Sequence, residues 1–231
     1  MPGTGGFTTV AGMTTLRIPA RFNGPPDSGN GGYVAGMLAA TRDEPVVRIM
    51  LRTPPPLETP LRVADGNLLH GEQVVATSAP AGFEHEPPPP VAPELAAAVS
   101  GAHNGGEVFG HCFVCGSLRT DGLGIQAGPV GSGVVAAPWS PDGTVAIDTP
   151  LLWAVMDCPG GWAVPGMFDR PALLGSMTAT LLDLPAPAEE CVVVGALHAQ
   201  DGRKIRTATA LYGSDDRLIS RSEQVWIRLA G

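Results

Sequence analysis

Apolar positions recur along this chain with two different periods, near 3.6 in some stretches and near 2 in others, and the switches between them mark the elements. Leu16 to Ile18 reads as a strand, followed by the loop FNGPPDSG and a helix from about Asn30 to Thr41, where Val34, Met37, Leu38 and Thr41 fall at helical spacing. Val46 to Arg52, Leu61 to Ala64 and Leu68 to Ser78 are β-like runs separated by Pro- and Gly-bearing turns. Further on, Gly124 to Ala127 and Val134 to Trp139 read as strands, and a second helix covers Pro150 to about Val164. Three long strands follow at Leu173 to Leu182, Cys191 to Gln200 and Arg203 to Tyr212, with Asp201-Gly202 as a hairpin signal. In a last strand, Leu218 to Leu229, the residues Val225, Ile227 and Leu229 alternate with Gln224, Trp226 and Arg228.

Between these two sets lies Pro80 to Gly106, which contains EPPPPVAP. Consecutive prolines favour an extended backbone that cannot join a central strand, so this segment reads as a semi-rigid connector with a short helix at Glu94 to Val99. The expected organisation is an N-terminal half over 1–79, a Pro-rich linker over 80–106 and a C-terminal half over 107–231. Each half has a short β-segment, one helix and a run of strands, a repetition of supersecondary structure rather than of residues. The second helix, LLWAVMDC, is apolar nearly all round, which calls for burial inside a curved sheet. Pro159 predicts a kink or restart in that helix.

Composition narrows the function. The chain has 231 residues, 44% hydrophobic and 16% charged, with no apolar run near the ~20 residues that a membrane span needs. A chain of this length buries roughly 70% of its unfolded surface, so it needs no disulfides. The formal net charge of −8 argues against a partner recognised by its phosphate backbone. The N-terminal MPGTGGFTTVAGM lacks the basic start and apolar core of a secretory signal, and the expectation is a cytoplasmic protein with reduced thiols. There is no phosphate loop and no G-x-S-x-G, and no cofactor is expected. HCFVCG looks like one half of a zinc knuckle, but no second Cys-x-x-Cys exists, and His103 and His111 are poor supplements to Cys112 and Cys115. The expectation there is a packed turn and no metal. His198 shares a strand face with Val192, Val194 and Ala196, which suggests a core or pocket wall.

Three stretches, NGGYVAGMLA (30–39), HCFVCG (111–116) and LLWAVMDCPGGWA (151–163), resemble the acyl-CoA thioesterase superfamily of the hotdog fold in its tandem, double form, and the last two are similar to thioesterase-like proteins of actinobacteria. The resemblance implies an α+β double hotdog, two antiparallel sheets each wrapped around a central helix. It also implies a hydrolase acting on an acyl-CoA or related thioester. In that family a His-Gly-Gly at the helix start polarises the thioester carbonyl, and an acid nine positions after the His, on the partner helix, is the nucleophile or base. Here the glycine pair is Gly31 and Gly32, with Asn30 where His often stands, and nine positions on is Ala39, which carries no acid. In the second helix Asp157 holds the acidic position, but Asp148 lies nine positions before it, followed by Thr149 and Pro150 with no glycine pair.

The resemblance therefore implies one composite site per chain, with Gly31 and Gly32 holding the carbonyl oxygen and Asp157 as base or nucleophile. Asn30, Tyr33, Met37, Trp153 and Met156 would contact the substrate. Residue chemistry leaves two readings open at each position. Gly31 and Gly32 suit tight packing as well as oxyanion binding. Asn30 is a good N-cap. Asp157 amid apolar neighbours is costly to bury unless paired, and is either a solvent-facing helix end or part of a site. The alternative function is a non-catalytic binder of acyl or lipid-like ligands that kept the fold and lost the chemistry. A tandem chain already contains the family's basic pair, so a monomer and a homodimer are both compatible.

Overall fold

The computed structural model describes residues 6–10, 13–101, 109–167 and 169–229. In chain order the elements are β1 Gly6–Val10, β2 Met13–Arg17, α1 Gly31–Ala39, β3 Val47–Leu51, β4 Pro60–Ala64, β5 Asn67–His70, β6 Gln73–Pro80, α2 Pro93–Val99, β7 Gly128–Gly131, β8 Val134–Trp139, α3 Thr149–Trp162, β9 Ala172–Leu181, β10 Cys191–Asp201, β11 Lys204–Tyr212 and β12 Leu218–Arg228. These strands form one antiparallel sheet in the order β1-β2-β4-β5-β6-β3-β9-β12-β11-β10-β8-β7, where two separate sheets were expected. The two halves fuse because β3 and β9 pair, from Val47 opposite Ala179 to Met50 opposite Ser176. Pairing these strands satisfies two rows of backbone groups that separate sheets would leave as open edges. Read outward from this junction, the order is β3-β6-β5-β4-β2-β1 on one side and β9-β12-β11-β10-β8-β7 on the other.

Both long helices lie against the same sheet and against each other. Gly32 to Ala39 and Pro150 to Trp162 are buried without a break, as all-round apolar sequences require. The crossing depends on missing side chains. A Cβ on Gly32 would fall 2.6 Å from the Trp153 carbonyl oxygen, and one on Gly36 would fall 2.7 Å from the Pro150 Cα. Around this contact Met37, Leu38, Ile49, Trp153, Met156 and Met177 are at most 2% exposed, each stabilising the fold by about 1.5–3 kcal/mol.

Local chemistry explains where the elements depart from expectation. Leu68 to Ser78 is two strands, because a turn at Gly71 and Glu72 folds it into a hairpin. Gly124 to Ala127 is not a strand: its start is pulled back onto the cysteine loop by Leu123 N–H to Phe113 O (2.7 Å) and Ile125 N–H to Val114 O (2.9 Å). α3 runs through Pro159 rather than ending there. Proline removes a single backbone bond at that point, and the surrounding packing holds the last turn in place. In β12 the buried face is Gln224, Trp226 and Arg228, while Val225 and Ile227 are part-exposed.

α2 and the polyproline stretch lie along the outer face of the second half. Ala96 packs with Ala136, Val192, Val194, Ala210 and Tyr212, and the Tyr212 hydroxyl donates to Pro88 O at 2.6 Å. Residues 102–106 of the expected linker, and His103 with them, lie outside the described residues. Among the described residues no helix is long and apolar enough to cross a membrane.

Candidate functional site

The start of α1 is fixed by its preceding loop. Asn30 N–H donates to Phe22 O (2.8 Å), and Phe22 stacks on Tyr33 with ring centroids 3.9 Å apart. Asn30 is the N-cap: its Oδ1 accepts from Tyr33 N–H at 2.8 Å. That leaves its Nδ2 free to donate to Asp157 Oδ2, also at 2.8 Å, and to reach Cys112 Sγ at 3.8 Å. The Gly32 N–H donates to the same Asp157 oxygen at 3.0 Å. The fold thus joins residues 30 and 32 of α1 to residue 157 of α3 by direct hydrogen bonds.

Asp157 is 3% exposed, and its Oδ1 has no partner among the described residues. Burial pushes its carboxyl up to about 7; the Gly32 N–H opposes the rise, Cys112 adds to it, and the Asn30 amide opposes it. A carboxyl titrating near neutrality can take a proton and give it up under working conditions.

Asn30, Gly31 and Asp157 line a pocket of about 260 Å³ whose apolar wall includes Leu51, Leu174 and Trp226. The Gly31 N–H, at the positive end of α1, has no hydrogen-bond partner among the described residues. Arg52 also lines this pocket, is exposed, and its guanidinium has no partner among the described residues. The pocket therefore combines a titratable carboxyl, a helix N-terminal donor, an apolar wall and a cation at the rim.

Two expectations need correction. Gly32 does not present a free donor to a carbonyl, because its N–H is taken by Asp157. Tyr33, Met37, Trp153 and Met156 do not line this pocket; all four are buried core residues, where the glycine-mediated crossing brings α1 and α3 into close contact. His198 is exposed, at a register shift in β10, and with His85, on which it stacks (4.4 Å), it lines a separate pocket of about 400 Å³, the wall position that its strand face suggested.

The sequence reading missed a buried polar network beside Asp157. Gln224 Nε2 donates to Met156 O at 2.7 Å, and Gln224 Oε1 accepts from Thr207 Oγ1 (3.1 Å) and Trp226 Nε1 (2.9 Å). The available signal was the alternation in the last strand, which put a glutamine and a tryptophan on one face; only the tertiary fold decides that this face is the inner one.

No family model and no curated protein matches this sequence. Solved structures do match over nearly the whole chain. A conserved protein of unknown function with a hot dog fold from Alicyclobacillus acidocaldarius has a TM-score of 0.63 at 13% identity, covering 98% of this chain and 96% of its own. The tesB protein of Mycobacterium avium subspecies paratuberculosis gives 0.63 at 13% identity over 97% and 96%. An acyl-CoA thioesterase II, TesB2, from Mycobacterium marinum gives 0.62 at 12% identity over 98% and 96%. At such identities the likeness is one of architecture: the chain has the hotdog fold of these neighbours, in a form that spans its whole length.

Proposed function

We propose that the chain is a hydrolase of an acyl-CoA or related thioester, with one composite site per chain built between its two halves. The observation that carries this is Asp157, a buried α3 carboxyl raised to about 7 and held by Asn30 and Gly32 of α1, at a pocket that Gly31 also lines. The ionised carboxylate takes the proton from a water that attacks the thioester carbonyl carbon. The developing oxyanion is received by the Gly31 N–H and the positive end of α1, and the sulfur leaves as a thiol once protonated. Arg52 at the rim supplies a cation for CoA phosphates, which the net charge of −8 otherwise repels. The apolar wall takes the acyl chain. A fold neighbour named as an acyl-CoA thioesterase supports the reaction class.

One observation favours the non-catalytic binder: the Gly32 N–H is already occupied by Asp157, which leaves a single donor for the oxyanion. Thiol release from a panel of acyl-CoA chain lengths decides between them. The wild type should turn over at least one of them. Because the base is the ionised form and its value is raised, activity should rise through a midpoint near pH 7 and level off above it. Asp157→Asn should lower the rate about 10²–10⁴-fold while retaining acyl-CoA binding by calorimetry. Binding without turnover at every chain length would retire the hydrolase and leave the binder.

A further inference from the structure

Cys112, Cys115 and Cys158 are all buried, and their three Sγ atoms lie within 4.8 Å of one another. The Cys112 and Cys158 sulfurs are 3.7 Å apart. Around a single tetrahedral zinc ion with Zn–S of about 2.3 Å, neighbouring sulfurs stand about 3.8 Å apart. The arrangement is built by two separate parts of the chain. In the loop, Cys112 N–H donates to Phe109 O (2.9 Å) and Gly116 N–H to Cys112 O (2.8 Å), folding HCFVCG into a tight knuckle. Gly116 is obligatory there, since a Cβ would fall 2.5 Å from Cys112 O. The third sulfur comes from α3, one residue after Asp157.

Cys112 has a polar neighbour of the kind that suits a sulfur ligand. The Asn30 amide nitrogen approaches Cys112 Sγ at 3.8 Å. Donors of this kind orient and stabilise a thiolate ligand, as outer-shell partners do at metal sites. Beside the cluster, Asp157 Oδ1 is a buried carboxylate oxygen without a partner among the described residues. The sequence offers no second Cys-x-x-Cys pair to complete a site with Cys112 and Cys115; the fold supplies a third sulfur as Cys158 instead.

We infer that Cys112, Cys115 and Cys158 bind one thiophilic divalent cation of the zinc class, with its fourth position toward the pocket that Cys112, Cys158 and Asp157 share. The ion ties the loop around residues 109–116 to α3 and holds the Asp157 end of that helix against α1. This inference is independent of the thioesterase reading. Three buried thiols without histidine select a soft ion over magnesium or calcium.

The full chain, purified under reducing conditions from zinc-supplemented medium, should carry about one equivalent of zinc, and its zinc-edge absorption should fit about three sulfurs and one oxygen or nitrogen. Replacing zinc with Co²⁺ should give thiolate-to-metal charge-transfer bands and the strong visible bands of a tetrahedral site. Cys115→Ser and Cys158→Ser should each bind Co²⁺ at least ~10-fold more weakly, while Cys191→Ser, on β10 outside the cluster, should match the wild type. The spectra of the wild type carry the test even if a variant fails to fold. Wild-type protein with neither zinc nor cobalt–sulfur bands, or a metal shell of oxygen and nitrogen alone, would overturn the assignment.

Discussion

Asn30 caps α1 by accepting from Tyr33 N–H at 2.8 Å, and Asp148 caps α3 by accepting from Leu151 N–H at 3.0 Å. From these matching starts the two helices part. Two residues after the cap, α1 has Gly32 with an N–H to donate, and α3 has Pro150 with none. Nine residues after the cap, α1 has Ala39 and α3 has Asp157. Only one cross-pairing is chemically complete, the acid of α3 with the donors of α1. At the other end of the crossing Gly36 packs close to Thr149 O and the Pro150 Cα instead. A buried carboxylate is costly unless it is hydrogen-bonded, so polar chemistry stands where donors exist and tight apolar packing stands where they do not.

The largest effect should come from trying to make the helices alike. Ala39→Asp would bury a second carboxylate, at a residue now 7% exposed that matches Asp157 by helix position, while the α3 position matching the Gly32 donor is Pro150, which has no N–H. It should cost about 3 kcal/mol in urea unfolding at pH 7. Unchanged stability, or activity regained in an Asp157→Asn background, would break the asymmetry. A smaller effect separates the two glycines. Gly32→Ala meets rigid backbone at 2.6 Å and should cost about 1–3 kcal/mol of overpacking. Gly31→Ala meets only the Leu174 and Leu51 side chains, at 3.0 to 3.2 Å, and should cost less than about 1 kcal/mol, because flexible side chains can give way. Equal losses in thermal unfolding would mean that Gly32 does not mark the helix crossing.

Much of this arrangement was legible along the chain. Local periodicity gave α1, α3 and most strands, and the resemblance to hotdog thioesterases implied that Asp157 and the start of α1 belong to one cluster. Contacts decided by topology were not legible. Gln224 reads as one polar residue in an alternating strand until the sheet turns its face inward onto Met156 O. Cys158 is an isolated cysteine until α3 brings it beside the Cys112 loop. The fused sheet likewise depends on β3 and β9 meeting, a pairing of strands more than a hundred residues apart that no local pattern encodes. Tyr33 and Trp153, expected to contact an acyl chain lying between the two helices, are turned by helix geometry into the core.

The smallest effect separates the two caps, and it tests what Asn30 does beyond capping. Asp148→Ala should cost about 1 kcal/mol, since it leaves a first-turn N–H without its side-chain acceptor, and Asn30→Ala should cost at least as much, since Asp157 also loses a donor. They should differ in the pH profile. Asn30 also donates to Asp157 Oδ2, and that bond helps to hold the carboxyl down against its burial. Losing it raises the carboxyl further, so the activity midpoint of Asn30→Ala should move alkaline from about 7, whereas that of Asp148→Ala should stay in place. Asn30→Asp isolates the donor, because aspartate still accepts from Tyr33 N–H but cannot donate to Asp157. It adds a second negative charge beside the first, and its midpoint should move alkaline further than that of Asn30→Ala. A wild-type profile in Asn30→Asp would reduce Asn30 to the role that Asp148 plays in α3.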